Sequence, residues 1–554
     1  MRALEHERAT ARRDATEPRR LAHTIRKMVS PSSASTDAVG GDRGHPPEWL
    51  ILSLVCLAQF MVVLDISIVN VALPSIQTSL GFSEVNLQWV VTAYALTFGG
   101  LLLFGGRLAD LFGRRRIFLV GLALFTGASL LGGFAQNQET LIIARALQGV
   151  GAAVLSPATL TILTVTFTEE RARAKALGVW TAVAAGGGAA GALFGGILTD
   201  LLSWRWILFV NVPIGIAAFL LARFYLRESR AEGERQRLDI AGSLTVTAGL
   251  IVLVYGIVST DRHAWGSFQT IITLVVAAVL LAAFVLIEAR LATHPLMPLR
   301  LFKSRFVSGA NVVMFLLGAA MFAMWFFLTL YLQQVLGYSP LVTGLTFLPQ
   351  TLAIAIGATA AGRLVPKLGP RPLMVAGGLC SAGGLYWLSF ISASGTYWTS
   401  AFGGGVLCTL GMGLAFTPIA IAATGGVRRE EAGLASGVMN TSRQIGASVG
   451  LAVLSTVAAS RIASVERGAQ VTGQLARIAM TAGYARGFQI GALLALAGVG
   501  LTFIVPAKAP APVRSPDQDR SETLPAGFAA ATDGGPIEPI PPAGAAQPRS
   551  PELA

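Results

Sequence analysis

In the run MVVLDISIVNVALPS, residues 61–75, one carboxylate, Asp65, interrupts an otherwise apolar stretch. An ionised carboxylate at bilayer depth costs at least a few kcal/mol, so such residues are rare and mark ion or proton pathways. The chemistry open to it is the uptake and release of a proton. A second ionisable group, Arg145, interrupts another apolar run, and Gln148 follows it at i+3, on the same helical face. A nearby guanidinium favours the charged form of an acid, whereas burial away from water disfavours it. A carboxylate whose exposure and distance to the arginine change between two conformations would therefore bind a proton in one and release it in the other. A static ion pair that docks two helices is the alternative reading of the same residues.

A further polar line, Ser436, Asn440, Gln444 and Ser448, recurs at i, i+4 with Arg443 beside it. A stripe of this kind faces a central cavity or a partner helix. Gln148, Asn440, Arg443 and Gln444 are therefore the candidates for lining a cavity, with Arg443 either packing and positioning or binding a substrate directly. Gly187, Gly191 and Gly195 form a small-xxx-small stripe that lets a neighbouring helix approach closely. The same stretch satisfies G-x-G-x-x-G from Gly186 to Gly191, but a dinucleotide site needs a strand before it and a soluble βαβ unit around it. In the loop beginning at Gly106, Asp110 is a lone acid among Arg107 and Arg114 to Arg116, which suggests a specific pair or a helix-end contact. No Ser/His/Asp constellation, metal-ligand cluster or phosphate loop is present, so the expectation is a protein that is not an enzyme and carries no metal or bound cofactor. Cys56, Cys380 and Cys408 all sit in apolar runs without disulfide or zinc spacing.

The elements that position these residues follow from composition. The chain is 53% hydrophobic and only 13% charged, against about 25% charged in soluble domains, so it is an integral membrane protein. A helix crossing ~30 Å of hydrocarbon needs about 20 apolar residues. Fourteen such segments can be counted, centred from about residue 62 to about residue 495. With the N-terminus in the cytoplasm, 34 of the 42 Lys and Arg fall in cytoplasmic pieces, which satisfies the positive-inside rule and places both termini there. The high net charge of +13 is then a topology signal, and no nucleic-acid partner is expected. Counted at 1.5 Å per residue from the outer ends of their spans, Asp65 lies on the order of 15 Å deep and Arg145 on the order of 10 Å, which makes them candidate partners.

An internal repeat supports the count. G-R-L-A-D-L-F-G-R-R begins at Gly106 and G-R-L-V-P-K-L-G-P-R at Gly362, 256 residues later. The second copy follows the tenth span, so two extra spans lie between two six-helix halves. The organisation read from the sequence is a disordered basic cytoplasmic tail (1–48), an N-terminal six-helix bundle (49–225), two extra transmembrane helices (240–288), a C-terminal six-helix bundle (306–505) and a disordered cytoplasmic tail (506–554). Repeated halves meeting at a midplane site are a common plan of secondary transporters.

Residues 49–505 resemble the major facilitator superfamily, in particular its fourteen-helix drug:proton antiporter branch. The resemblance rests on L-D-I-S-I-V-N-V-A-L-P (Leu64 to Pro74), G-R-L-A-D-L-F-G-R-R-R (Gly106 to Arg116), A-R-A-L-Q-G-V-G-A-A (Ala144 to Ala153), G-G-A-A-G-A-L-F-G-G (Gly187 to Gly196), W-R-W-I-L-F-V-N-V-P-I-G (Trp204 to Gly215) and G-V-M-N-T-S-R-Q-I-G (Gly437 to Gly446). It implies an all-α membrane protein that exports amphiphilic drugs or antibiotics in exchange for protons, as a monomer in a bacterial cytoplasmic membrane. Asp65 and Arg145 would couple the proton. Gly106, Asp110, Gly113 and Arg114 would latch the cytoplasmic side, and Gly187, Gly191, Gly195 and Gly196 would form the antiporter-type fifth helix. In place of that helix's usual Gly-Pro the chain has Gly191-Ala192. Proline kinks a helix, so Ala192 predicts a straighter one. A transporter of one endogenous metabolite, exported or imported, is the second expectation; a membrane sensor or enzyme is a distant third.

Overall fold

The computed structural model describes residues 47–506, apart from 231–237, 262, 426, 428–430 and 468–471. The two expected tails lie outside the described residues except at their inner edges. In an apolar environment every backbone N–H and C=O must find a partner, and a helix supplies one within a single segment. Accordingly, all regular structure among the described residues is helical, and thirteen helices there are long and apolar enough to cross a membrane. In chain order they are α1 Glu48–Leu80, α2 Glu84–Phe112, α3 Arg114–Gly133, α4 Gln138–Thr166, α5 Glu170–Leu201, α6 Trp206–Tyr225, α7 Ile240–Val258, α8 Phe268–Leu291, α9 Arg305–Val335, α10 Pro340–Leu368, α12 Tyr397–Thr424, α13 Ala432–Glu466 and α14 Gly473–Ile504. Between α10 and α12 lies α11, Pro370–Leu388, a 19-residue helix in which four glycines and Arg371 dilute the apolar character.

Local signals fix the helix ends. Asn137, Ser267, Ser339 and Thr472 cap α4, α8, α10 and α14 by accepting a backbone N–H with their side chains. At the junctions α2/α3 and α10/α11 the chain turns through Gly113 (φ 107°) and Gly369 (φ 78°). These are the paired glycines of the internal repeat, and the positive φ explains why that position is glycine in both copies.

The helix pairings repeat as well. In the first run α1 packs on α5, α2 on α4, and α3 on α4 and α6; in the second, α9 packs on α13, α10 on α12, and α11 on α12 and α14. The two runs meet along α2 with α13 and along α5 with the start of α10, while α7 and α8 pair with each other and α7 rests on the α2/α13 seam. Below, the "Pro47 end" is the end at which α1 begins and the "far end" that at which it finishes. At the far end the runs are clasped by neutral groups. Gln333 Nε2 donates to the Val71 carbonyl (2.7 Å), Gln334 Nε2 to Gln77 Oε1 (2.6 Å), and the Tyr484 hydroxyl to Gln334 Oε1 (2.8 Å). There too Gly196 abuts Pro340 and Leu341, and Gly344 abuts the Ala192 carbonyl. Toward the Pro47 end, the first half of α5 and much of α10 are exposed, with Leu352 and Ile356 more than half open.

Candidate functional site

The site is built where α1, α2, α3, α4 and α6 converge. Asp65, midway along α1, is fully buried, and its Oδ2 accepts from Arg145 Nη1 of α4 at 2.6 Å. Its other oxygen, Oδ1, accepts from Gln148 Nε2 (3.0 Å) and from Asn211 Nδ2 of α6 (2.9 Å). Arg145 Nη1 also donates to Gln148 Oε1 (2.8 Å) and Nε to the Val90 carbonyl of α2 (3.0 Å), while the guanidinium stacks over the Tyr94 ring at 4.6 Å. Ser129 Oγ of α3 receives from both Gln148 Nε2 (2.5 Å) and Asn211 Nδ2 (3.2 Å). Every charge here is paired and hydrogen-bonded, the condition under which ions survive away from water. Two amides and a hydroxyl surround one acid and one base, and a proton added to Asp65 would remove the counter-charge of the buried Arg145.

Asp65 and Arg145 are thus brought together as depth counting predicts, and both amide atoms of Gln148 are engaged with them. Tyr94, Ser129 and Asn211 were not singled out by the sequence reading. Asn211 could have been, since it is an amide inside the apolar run W-R-W-I-L-F-V-N-V-P-I-G and obeys the reasoning applied to Asp65. Asn211→Ala deprives Asp65 Oδ1 of a donor, which should lower stability by about 1–3 kcal/mol. A thermal-shift measurement on purified protein checks this; an unchanged midpoint would mean that Gln148 alone suffices.

The glycine stripe supports this site from α5. A Cβ on Gly187 would sit 3.2 Å from the Phe60 carbonyl, on Gly191 2.8 Å from the Leu64 carbonyl and on Gly195 2.7 Å from the Ile68 carbonyl. The stripe therefore seats α5 against α1 on either side of Asp65. Gly196 is different, meeting the second run at Pro340. α5 continues unbroken through Ala192 for 32 residues.

On the second run, Gln444 is fully buried with neither amide atom hydrogen-bonded, and it lies against Gly99 of α2. Arg443 lies 6.0 Å from the Phe416 ring and has no ion-pair partner among the described residues. A narrow seam between the runs is lined by Ile66, Val69, Tyr94, Arg145, Phe322 and Gln444, among others. Among the described residues, Asn440 bonds only back to the Ser436 carbonyl of its own helix (3.4 Å).

The loop residues form a separate cluster at the Pro47 end. Asp110 and Arg114 pair at 3.4 Å, and Arg114 N donates to the Ser229 carbonyl (2.9 Å). The Glu228 carboxylate accepts from the N–H groups of Arg115 (3.1 Å) and Arg116 (3.2 Å), capping α3. Any Cβ at Gly113 would strike that carboxylate, and Gly106 faces Pro157 of α4.

The sequence of residues 55–451 matches the family model of the Major Facilitator Superfamily. The chain belongs to the major facilitator superfamily. Within it, the chain is 47% identical to the cephamycin export protein CmcT of Amycolatopsis lactamdurans, over 74% of this chain and 85% of that one. It is 44% identical to the puromycin resistance protein pur8 of Streptomyces alboniger (76% and 83% covered) and 39% identical to the multidrug resistance protein Stp of Mycobacterium tuberculosis (74% and 76% covered). Its fold resembles the crystal structure of a bacterial homolog to the human lysosomal transporter Spinster in the inward-facing, unoccupied conformation. There the TM-score is 0.61 at 17% identity, with 83% of this chain and 98% of that one covered. The protein is a multi-pass membrane transporter of this superfamily, and not an enzyme.

Proposed function

We propose that this superfamily member is a proton-coupled antiporter that exports amphiphilic drugs or antibiotics across the bacterial cytoplasmic membrane by alternating access. In this reading α1–α6 and α9–α14 are two six-helix bundles, α7 and α8 are the inserted pair, α11 is the fourteenth span, and both termini are cytoplasmic. The protein works as a monomer and needs no bound cofactor. The Pro47 end is then inside and the clasped far end outside.

The observation that carries the proposal is the sealed Asp65–Arg145 pair with its ring of Gln148, Asn211 and Ser129. A proton arriving at Asp65 when the outside is open releases Arg145. Rocking of the bundles exposes the acid to the inside, the proton leaves, and the pair re-forms. Cargo travels the other way through the seam bordered by Tyr94, Phe322 and Gln444. Each charge moved across the membrane contributes ~2.3 kcal/mol per 100 mV, which suffices for uphill export. The Asp110–Arg114 pair, with Gly106 and Gly113, serves as the inner gate.

Efflux of a fluorescent amphiphile from energised everted vesicles tests this directly; efflux that continues unchanged after the proton gradient is collapsed would defeat it. A second reading, a carrier of a single compound, is favoured by the relatives named for cephamycin and for puromycin. A resistance profile over chemically unrelated compounds, on deletion and overexpression, separates the two.

The clasp supplies another expectation. Gln334 bonds to both Gln77 and Tyr484, and at about 1 kcal/mol per hydrogen bond its loss shifts the open population severalfold. In a variant lacking the native cysteines, Val71→Cys should be labelled about fivefold faster by an impermeant maleimide once Gln334→Ala is added. Equal labelling rates would remove the clasp from any part in gating.

A further inference from the structure

On the outer face of the first run, α3 and α6 enclose a groove of about 460 Å³, within the ~300–1,000 Å³ of ligand sites. One end is basic. Arg115 and Arg116 come from the first turn of α3 and Arg223 from the last turn of α6. The one acid there, Glu228, already accepts two backbone N–H groups of α3. Arg115 donates through Nη2 to the Arg223 carbonyl, but its buried Nε has no partner. Below the arginines the wall turns apolar. Leu119 and Ala123 follow Arg115 at i+4 and i+8, Val120 follows Arg116 at i+4, and Phe219 faces them from α6. Val120 is 53% exposed.

Helix lengths set the depth of this groove. α3 has 20 residues and is therefore about 30 Å long, the thickness of the hydrocarbon core. Its first-turn arginines consequently lie at the headgroup plane, and the Leu119–Ala123 stripe points down into the acyl region. The positive charge of these arginines is aimed along a groove that lipid can enter.

We propose that this groove is a binding site for an anionic phospholipid, with the phosphate on Arg115, Arg116 and Arg223 and an acyl chain along Leu119, Val120, Ala123 and Phe219. A free phosphate could satisfy the arginines, but it would leave the apolar stripe without a ligand. The site does not depend on the cargo or on proton coupling.

The test is native mass spectrometry of the purified full chain, mixed with equal amounts of phosphatidylglycerol and phosphatidylcholine of the same acyl length. A basic residue near an anionic surface contributes about fivefold in affinity, so the wild type should retain phosphatidylglycerol at least about tenfold over phosphatidylcholine. The triple variant R115Q/R116Q/R223Q should lose that preference, and Ala123→Trp, which fills the groove while keeping every arginine, should lower retention of phosphatidylglycerol. Excess inorganic phosphate should not displace the lipid. Equal retention of the two lipids by the wild type overturns the proposal even if the triple variant does not fold. Retention undiminished by Ala123→Trp, or displacement by phosphate alone, overturns the acyl-chain half of the site.

Discussion

Asp65→Asn should reduce proton-driven efflux to the level of empty vesicles while the protein is still made and inserted. The side chain keeps one oxygen for Arg145 Nη1, but the other position becomes an NH2 facing the donors of Gln148 and Asn211. Asn211 Oδ1 has no partner at present, so a flip of that amide turns one of the two donor–donor contacts into a hydrogen bond, and the fold is accommodated at the cost of the Gln148 contact. What cannot be replaced is the exchangeable proton. The unpaired guanidinium is also left permanently buried, which costs about 3–5 kcal/mol when nothing compensates, and this should hold the variant in whichever state best hydrates Arg145. Counterflow of unlabelled against labelled cargo, which needs no proton, is the informative companion measurement. Coupled efflux at the wild-type rate in Asp65→Asn would return the pair to a docking role.

The second large effect is expected at Gly191. A Cβ there would lie 2.8 Å from the Leu64 carbonyl and even nearer to the Ser67 hydroxyl, so Gly191→Val must push α5 off α1 beside Asp65. Overpacking of this sort costs about 1–3 kcal/mol, and because the displaced turn holds Asp65, transport should fall further than folded yield. Adding Ser67→Ala removes the hydroxyl and should recover part of the loss. Three residues earlier in the same helix, Gly188 has nothing within 4 Å of its would-be Cβ. Gly188→Ala should therefore be neutral, or stabilising by about 0.5–1 kcal/mol. If the two positions behave alike in a thermal-shift and efflux comparison, the close approach at Gly191 is not what the stripe is for.

How much of this was legible in the sequence depends on the size of each signal. An acid or an arginine in an apolar run is conspicuous because its insertion is costly, so Asp65 and Arg145 stand out, and a constant rise per residue sets their depths. Ser129 and Asn211 are hydroxyl and amide groups that membrane helices commonly carry at helix contacts, so nothing marks them until the rotation of each helix is known. That rotation is set by packing, and the Gly187/Gly191/Gly195 stripe and the Ser436/Asn440/Gln444/Ser448 line were the two strips of it readable in advance. Long apolar runs announced the helices, α11 among them although glycine dilutes it, and the repeat at Gly362 supported that count. The Gln77–Gln334–Tyr484 contacts were out of reach, since three neutral residues so far apart in the chain leave no pattern.

That clasp has a consequence for energy conservation. A carrier whose outer closure were made of ion pairs would loosen whenever the medium acidified, which is also when the proton gradient is largest. It would then leak protons without moving cargo. Amides and a phenol do not ionise across that range, so with the clasp outside, as proposed, Gln77, Gln334 and Tyr484 keep their own protonation states whatever the external acidity. Under the proposed proton coupling, the chain keeps its seal and its proton site in chemically separate groups. Idle molecules should dissipate no more of the gradient at low external pH than at neutral pH.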